Sequence, residues 1–277
     1  MGVDASGRSL QPSAPFAAAS VTKTFVAALM LLLVEDGLVG LDDDVLPRLP
    51  RNFELPDPVT LRSLLNHTSG MPDYFEDAGF LRAWRRGPER EWDPHQLVEI
   101  SLALSRREPG LFRYANVNYV LVGLVIEALS GRTVGDMLRE RLLDPLALDG
   151  TQLPGTASAA AGGLVATADD IARFLAALLA GEIASPRSLR EILSTVRSDW
   201  PESQGYGLGI ERVESLMGSG VSPCGGAWGH IGLGRATTVA LTTADATRQV
   251  VLTANSMVTS EDAWAALSRA TWAVLCS

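Results

Sequence analysis

Lysine is nearly absent from this sequence. Lys and Arg together number 23 and only Lys23 is lysine, so the other 22 are arginine. In a chain this rich in Ala and Arg, a lysine kept only for solubility is readily exchanged for arginine. A lysine that must release its proton is not, because arginine stays protonated whereas a buried lysine can become neutral. Positive charge is in deficit as well: 23 basic against 32 acidic residues leave a net charge of -9, which argues against nucleic acid or an anionic membrane surface as partner. Histidine is scarce. His67, His95 and His230 form no H-E-x-x-H pattern, and the two cysteines, Cys224 and Cys276, lie outside metal-ligand spacing, so neither a metal nor a cofactor is expected. The cysteines neither demand nor exclude a disulfide. No apolar run is long enough to span a bilayer. Residues 1–19 carry neither the basic start nor the apolar centre of a signal peptide, which favours the cytoplasm but leaves the compartment open.

What is present is organised around Ala19–Gly37. Apolar residues wrap nearly every side of this stretch, and Gly37 falls where a helix would stop. A helix apolar all round is a buried one. Ser20 and Lys23, at i and i+3, share a face of its first turn. A hydroxyl thus stands beside an amine at the positive end of a core helix. An S-x-x-K match is weak by itself, but a single lysine in apolar surroundings next to a serine is a specific context.

With 277 residues the chain can bury a full core, as one large domain or two modest ones. Residues 1–15 read as a turn and an extended lead-in, and 46–59 as irregular connection. A short helix over Thr60–Leu65 breaks at Asn66–Pro72. Arg82, Arg85, Arg86 and Arg90 form a basic, Trp-bearing surface. Asp93-Pro94 opens a helix by N-cap and N1 proline. Further helices are expected from Asn116 to Ser130, where Gly131 stops the run, over Val134–Leu143, from the capping box at Thr167–Asp170, and from Ser185-Pro186. From Gly205 the texture changes. Tyr206–Ile210, Ala227–Leu233, Thr237–Thr243 and Gln249–Asn255 read as strands, the last three as an antiparallel meander. A final helix starts at Ser260.

Three short stretches stand out together: Ser20-Val-Thr-Lys23, Tyr114-Ala-Asn116 and His230-Ile-Gly232. Through them, and through the flanking Leu64–Tyr74, Phe112–Gly123, Gly162–Leu175 and Gly205–Gly209, the chain resembles the serine β-lactamase and penicillin-binding family, in its class C-type branch. That resemblance covers nearly all of residues 10–277. It implies an α/β fold plus an all-α region, of β-lactamase/DD-peptidase type, with an antiparallel sheet flanked by helices. Residues 1–40 and 200–277 would form the α/β domain and 41–199 a mainly helical one. The family's first strands, before the lead-in to the serine, are missing from the sequence. That leaves Gln249–Asn255 as an uncharged, proline-free sheet edge, to be covered either by a second copy or by strands of the protein's own that precede Met1.

The residue types suit acyl-transfer chemistry. Ser20 needs a base to become a nucleophile, and neutral Lys23 supplies it. Tyr114 can relay a proton to a leaving group. Asn116 can hydrogen-bond both the lysine and a substrate carbonyl. The resemblance further implies substrate contacts at His230 and Gly232, with the backbone N–H groups of Ser20 and Leu233 as oxyanion donors. Singly, Tyr114 also reads as a core tyrosine, Asn116 as a cap, His230 as a strand histidine and Gly232 as a bulge. Ile231 stands where the family carries a threonine, which removes a hydroxyl that helps hold a substrate carboxylate. The expectation is a serine hydrolase of small-molecule esters, amides or peptides. The alternatives are an acyltransferase on the same residues, a DD-carboxypeptidase or β-lactamase, and a non-catalytic binding protein on this fold.

Overall fold

A computed structural model describes residues 9, 11, 13–50, 53–55, 58–87, 90–200, 203–217 and 220–277. Much of the turn expected over 1–15, and parts of the connection over 46–59, lie outside the described residues. The chain enters on a short strand, β1 (Phe16–Ala17), and a 3-10 turn over Ala19–Val21 leads into helix α1 (Thr22–Glu35). From Thr22 to Leu31 every side chain of α1 is buried, as the all-round apolar sequence requires. Gly37, with φ +75°, follows its last turn.

Most of the helices that follow start where side-chain oxygens cap them, α5 being an exception. Thr60 and Ser63 form a reciprocal capping box on α2 (Leu61–Leu65), Asp77 caps α3 (Ala78–Arg86), and Asp93 with an N1 proline caps α4 (Pro94–Leu102). The buried α5 (Asn116–Ser130) ends at Gly131 in the left-handed region, φ +69°, a conformation that suits glycine. The single helix expected over 134–143 is α6 (Val134–Leu138) followed by a π-helical turn, Arg139–Leu143. After a 3-10 turn at Ala157–Ala161 comes β2 (Val165–Ala166), paired antiparallel with β1. Thr167 caps α7 (Ala168–Leu179) and Ser185 caps α8 (Pro186–Ile192).

The C-terminal part is a five-stranded antiparallel meander: β3 (Ser203–Tyr206), β4 (Glu211–Val213), β5 (Ala227–Leu233), β6 (Thr237–Thr242) and β7 (Gln249–Ala254), in that spatial order. Tyr206–Ile210 is not the expected strand. β3 ends at Tyr206, and Gly207–Gly209 turn against α1 and α8. The approach is too close for side chains: a Cβ on Gly207 would lie 2.1 Å from Ile192 O, and one on Gly209 2.7 Å from Lys23 O. Helix α9 (Glu261–Leu275) covers one sheet face with Trp264, Trp272 and Leu275, against Val213, Ile231, Val239 and Leu241. On the other side α7 packs on β6 and β7, and Ala240 joins the large cluster around α1 and α5. Cys224 and Cys276 form a disulfide across 52 residues, tying the β4–β5 loop to the end of α9. Closing a loop of that length removes about 4 kcal/mol of unfolded-chain entropy in the chain-entropy account.

Candidate active site

The turn carrying Ser20 is held from both sides. Ala18 N–H donates to Leu164 O (2.8 Å), while Thr22 Oγ1 donates to Ala19 O (2.6 Å) and accepts from Leu164 N–H (3.0 Å). Ala19 sits at φ +48°, a strained conformation costing roughly 1 kcal/mol or more for a residue with a Cβ. Strand β5 runs directly against this turn. A Cβ on Gly232 would stand 2.5 Å from Ala18 O and 3.2 Å from Ser20 N, so only glycine allows the strand end to lie beside the serine. Leu233 follows, 42% exposed on the groove rim.

Lys23 has no exposure. Its Nζ lies 3.2 Å from Ser20 Oγ and donates to Asn116 Oδ1 (2.9 Å) and to Ala161 O. Burial lowers its pKa to about 7, against a smaller upward pull from Asp73, so a large neutral fraction exists at neutral pH. Tyr114 donates its hydroxyl to Ser20 Oγ at 2.9 Å. Burial drives its pKa up, which keeps it a phenol rather than a phenolate. Ser20, Lys23, Tyr114 and Asn116 therefore form one hydrogen-bonded group, although 93 residues separate Lys23 from Asn116.

Two residues outside the expected set organise that group. The buried carboxylate of Asp73 accepts from Asn116 N–H (2.9 Å) and Asn116 Nδ2 (2.8 Å), which turns the Asn116 carbonyl oxygen towards Lys23. Asn116 thus commits its carbonyl to the lysine and one amide N–H to Asp73. His67, at φ +59°, accepts at Nδ1 from Ala115 N–H (3.3 Å), has Asn118 Nδ2 3.1 Å from the same atom, and lays its ring 4.2 Å from that of Tyr114. Burial first, then the nearby Lys23, holds His67 neutral. Both lie in the flank Leu64–Tyr74. Asp73 also caps the turn that follows it, accepting from Phe75 N–H (3.0 Å).

His230 is one of the expected substrate contacts. It borders the groove but is only 2% exposed, with Tyr206 OH 2.9 Å from Nε2 and Ile231 O 2.8 Å from Nδ1. Burial lowers its pKa to about 3. Both ring nitrogens have partners inside the protein, and these contacts fix the orientation of the neutral imidazole on β5. Ile231 belongs to the apolar layer under α9, across from Val239. Arg235 stands exposed on the groove wall.

The groove holding Ser20 has a volume of about 710 Å³. One wall is the chain from Pro154 to Val165, and Trp200 stands beside Tyr114 with ring centroids 5.1 Å apart. Of the basic surface expected at 82–90, Arg90 and the neighbouring Trp84 line the groove, and Arg82, Arg85 and Arg86 face solvent. Among the described residues, no group of three or more His, Cys, Asp or Glu is placed to hold a metal ion.

Known proteins share this architecture. The chain is 31% identical over 159 residues to Penicillin-binding protein 4* of Bacillus subtilis (strain 168), a match taking in 53% of this chain and 32% of that protein. The chain thus spans about a third of the length of that curated relative. A D-stereospecific amidohydrolase from a Streptomyces species superposes with TM-score 0.76 at 30% identity, covering 87% of this chain and 82% of that one. The D-amino acid amidase of Ochrobactrum anthropi SV3, solved with L-phenylalanine, gives TM-score 0.78 at 26% identity over 94% and 81%. Other relatives are an esterase and a D-aminopeptidase. The Beta-lactamase family profile matches residues 2–271, and the chain belongs to that family of serine hydrolases.

Proposed function

We propose that the protein hydrolyses an ester or amide of a small molecule through an acyl-enzyme on Ser20. The observation that carries this reading is the buried lysine: Lys23, with its pKa lowered to about 7, stands 3.2 Å from Ser20 Oγ. Ser20 Oγ attacks the carbonyl carbon and its proton passes to neutral Lys23 Nζ. The carbonyl oxygen takes the negative charge and faces the backbone N–H groups of Ser20 and Leu233. As the tetrahedral adduct collapses, the bond to the leaving group breaks. Tyr114 hands that group a proton and is reprotonated from Lys23. Water then cleaves the Ser20 ester by the same route. Amidases, an esterase and a D-aminopeptidase among the relatives support hydrolysis over other fates of the acyl group. The Cys224–Cys276 disulfide favours an oxidising compartment over the cytoplasm.

Intact mass after incubation with a fluorophosphonate is the direct test. One adduct on the wild-type protein, absent from Ser20→Ala and retained in Ser69→Ala, is expected. Ser69 donates its hydroxyl to Asn118 at 2.7 Å and has no lysine beside it. Labelling that survives Ser20→Ala would show another nucleophile.

The same proposal extends to assembly. β7 pairs only with β6 among the described residues, and its sequence is uncharged, so in a protein of these 277 residues alone a second copy adding along this edge is expected, whereas strands preceding them would cover it instead. Light scattering across a dilution series should report a dimer or larger species that Val251→Lys weakens. A monomer at every concentration, indifferent to that charge, rules the edge out.

A further inference from the structure

Aromatic residues make up 6% of the chain, yet Phe75, Phe80, Trp84 and Trp92 all fall between residues 75 and 92 and all line the groove that holds Ser20. Their rings touch in series. Phe75 and Phe80 centroids are 5.0 Å apart, Phe75 and Trp84 5.5 Å, and Phe80 and Trp92 4.7 Å. The arrangements are edge-to-face or tilted, the geometry aromatic rings prefer with one another. Phe80 is buried, whereas Phe75, Trp84 and Trp92 are each half-buried, with part of their surface left to the groove. The Arg90 guanidinium covers Trp92 at 4.3 Å. A half-built aromatic cluster at the end of a catalytic groove is a surface that gains by receiving one more ring.

The side of the scissile bond on which this cluster lies follows from the hydrogen bonds. Tyr114, the proton donor to the leaving group, packs against Trp200. Asn116 is bonded to Asp73, and Asp73 in turn caps the turn that carries Phe75. The leaving group thus belongs at the Tyr114–Trp200 side and the acyl group at the Asn116–Phe75 side.

We propose that the cluster of Phe75, Phe80, Trp84 and Trp92 is an acyl-group subsite selecting substrates whose acyl portion carries an aromatic ring. This deepens the acyl-enzyme reading and rests on it. The ring stacks among Phe75, Trp84 and Trp92 and draws the carbonyl carbon to Ser20. The bonds made and broken are those already described.

Two measurements test it. The first compares kcat/KM for p-nitrophenyl phenylacetate, hexanoate and acetate, each corrected for its uncatalysed hydrolysis. These share a leaving group, so differences report the acyl side alone. Phenylacetate is expected to exceed both others by about 10-fold or more. Trp84→Ala and Phe75→Ala, each checked for fold by circular dichroism, should shrink the phenylacetate-to-hexanoate ratio about 10-fold. A ratio near one in the wild type, or one that neither variant moves, overturns the subsite. The second measurement needs no turnover: tryptophan fluorescence of Ser20→Ala protein titrated with phenylacetate and with hexanoate. Saturable quenching by phenylacetate at concentrations at least several-fold below hexanoate supports the subsite, and equal or absent responses overturn it. A protein that binds phenylacetate selectively but hydrolyses none of the esters keeps the subsite and refutes the hydrolase reading, so the two fail separately.

Discussion

Lys23→Arg is expected to lower acylation of Ser20 by about 10²-fold or more, the usual loss on removing a general base. Arginine carries its charge at every pH the protein tolerates, so it cannot accept the serine proton. Because a buried guanidinium also threatens the fold, Lys23→Met serves as the companion: it removes the base without burying a charge, and it should lose activity to the same extent. The wild-type protein makes a linked prediction. The base form of Lys23 is the neutral one and its pKa lies at about 7. The acylation rate should therefore climb roughly tenfold per pH unit below that value and level off above it. The direction matters, since a rate that falls as pH rises through this window would require protonated Lys23. Single-turnover acylation by a p-nitrophenyl ester from pH 5.5 to 9 measures both. Near wild-type turnover in a folded Arg or Met variant would show that Lys23 is not the base.

Gly232→Ala should cost about 10²- to 10³-fold in kcat/KM, the scale of losing an oxyanion donor. The added methyl would meet Ala18 O at 2.5 Å and Ala19 Cβ at 3.1 Å, and neither is the flexible tip of a side chain. The strand end must move away from the Ser20 turn, and the Leu233 N–H moves with it. The fold should tolerate this, because the rest of β5 stays paired with β6 from Trp228 onwards. A variant that melts like the wild type and loses turnover is the expected pattern. Full activity in Gly232→Ala would mean that the backbone at Leu233 does not face the oxyanion.

Much of the fold was legible because its signals are local. Thr60, Asp93-Pro94, Thr167, Ser185-Pro186 and Ser260 each announce a helix start, and each caps one. The left-handed Gly131 ends α5. Ala227–Leu233, Thr237–Thr243 and Gln249–Asn255 alternate or run apolar between turn residues, and β5 to β7 follow them to within a residue. Tyr206–Ile210 misled because its glycines signal close approach to other segments, not extension: Gly209 O accepts from Thr24 Oγ1 at 2.6 Å and Gly209 N–H donates to Leu65 O at 3.1 Å. No window of sequence contains those partners.

The residue types of the site were present in the chain, and one of them, the single lysine, stood out by its rarity. What the sequence by itself determined is that a serine and a lysine share the first turn of a core helix, since helical period and apolar pattern act over a few residues. Tertiary structure alone decided the rest. Lys23 is poised because Asn116 and the Ala161 carbonyl, 93 and 138 residues away, close over it and exclude water. Asn116 faces the lysine because Asp73 holds its amide. His230 is turned inward by Tyr206. Cys224 pairs with Cys276 because α9 returns across the sheet. A proton affinity is set by burial and by neighbours a few ångströms away, and in this chain those neighbours arrive from distant segments that only the packed core brings together.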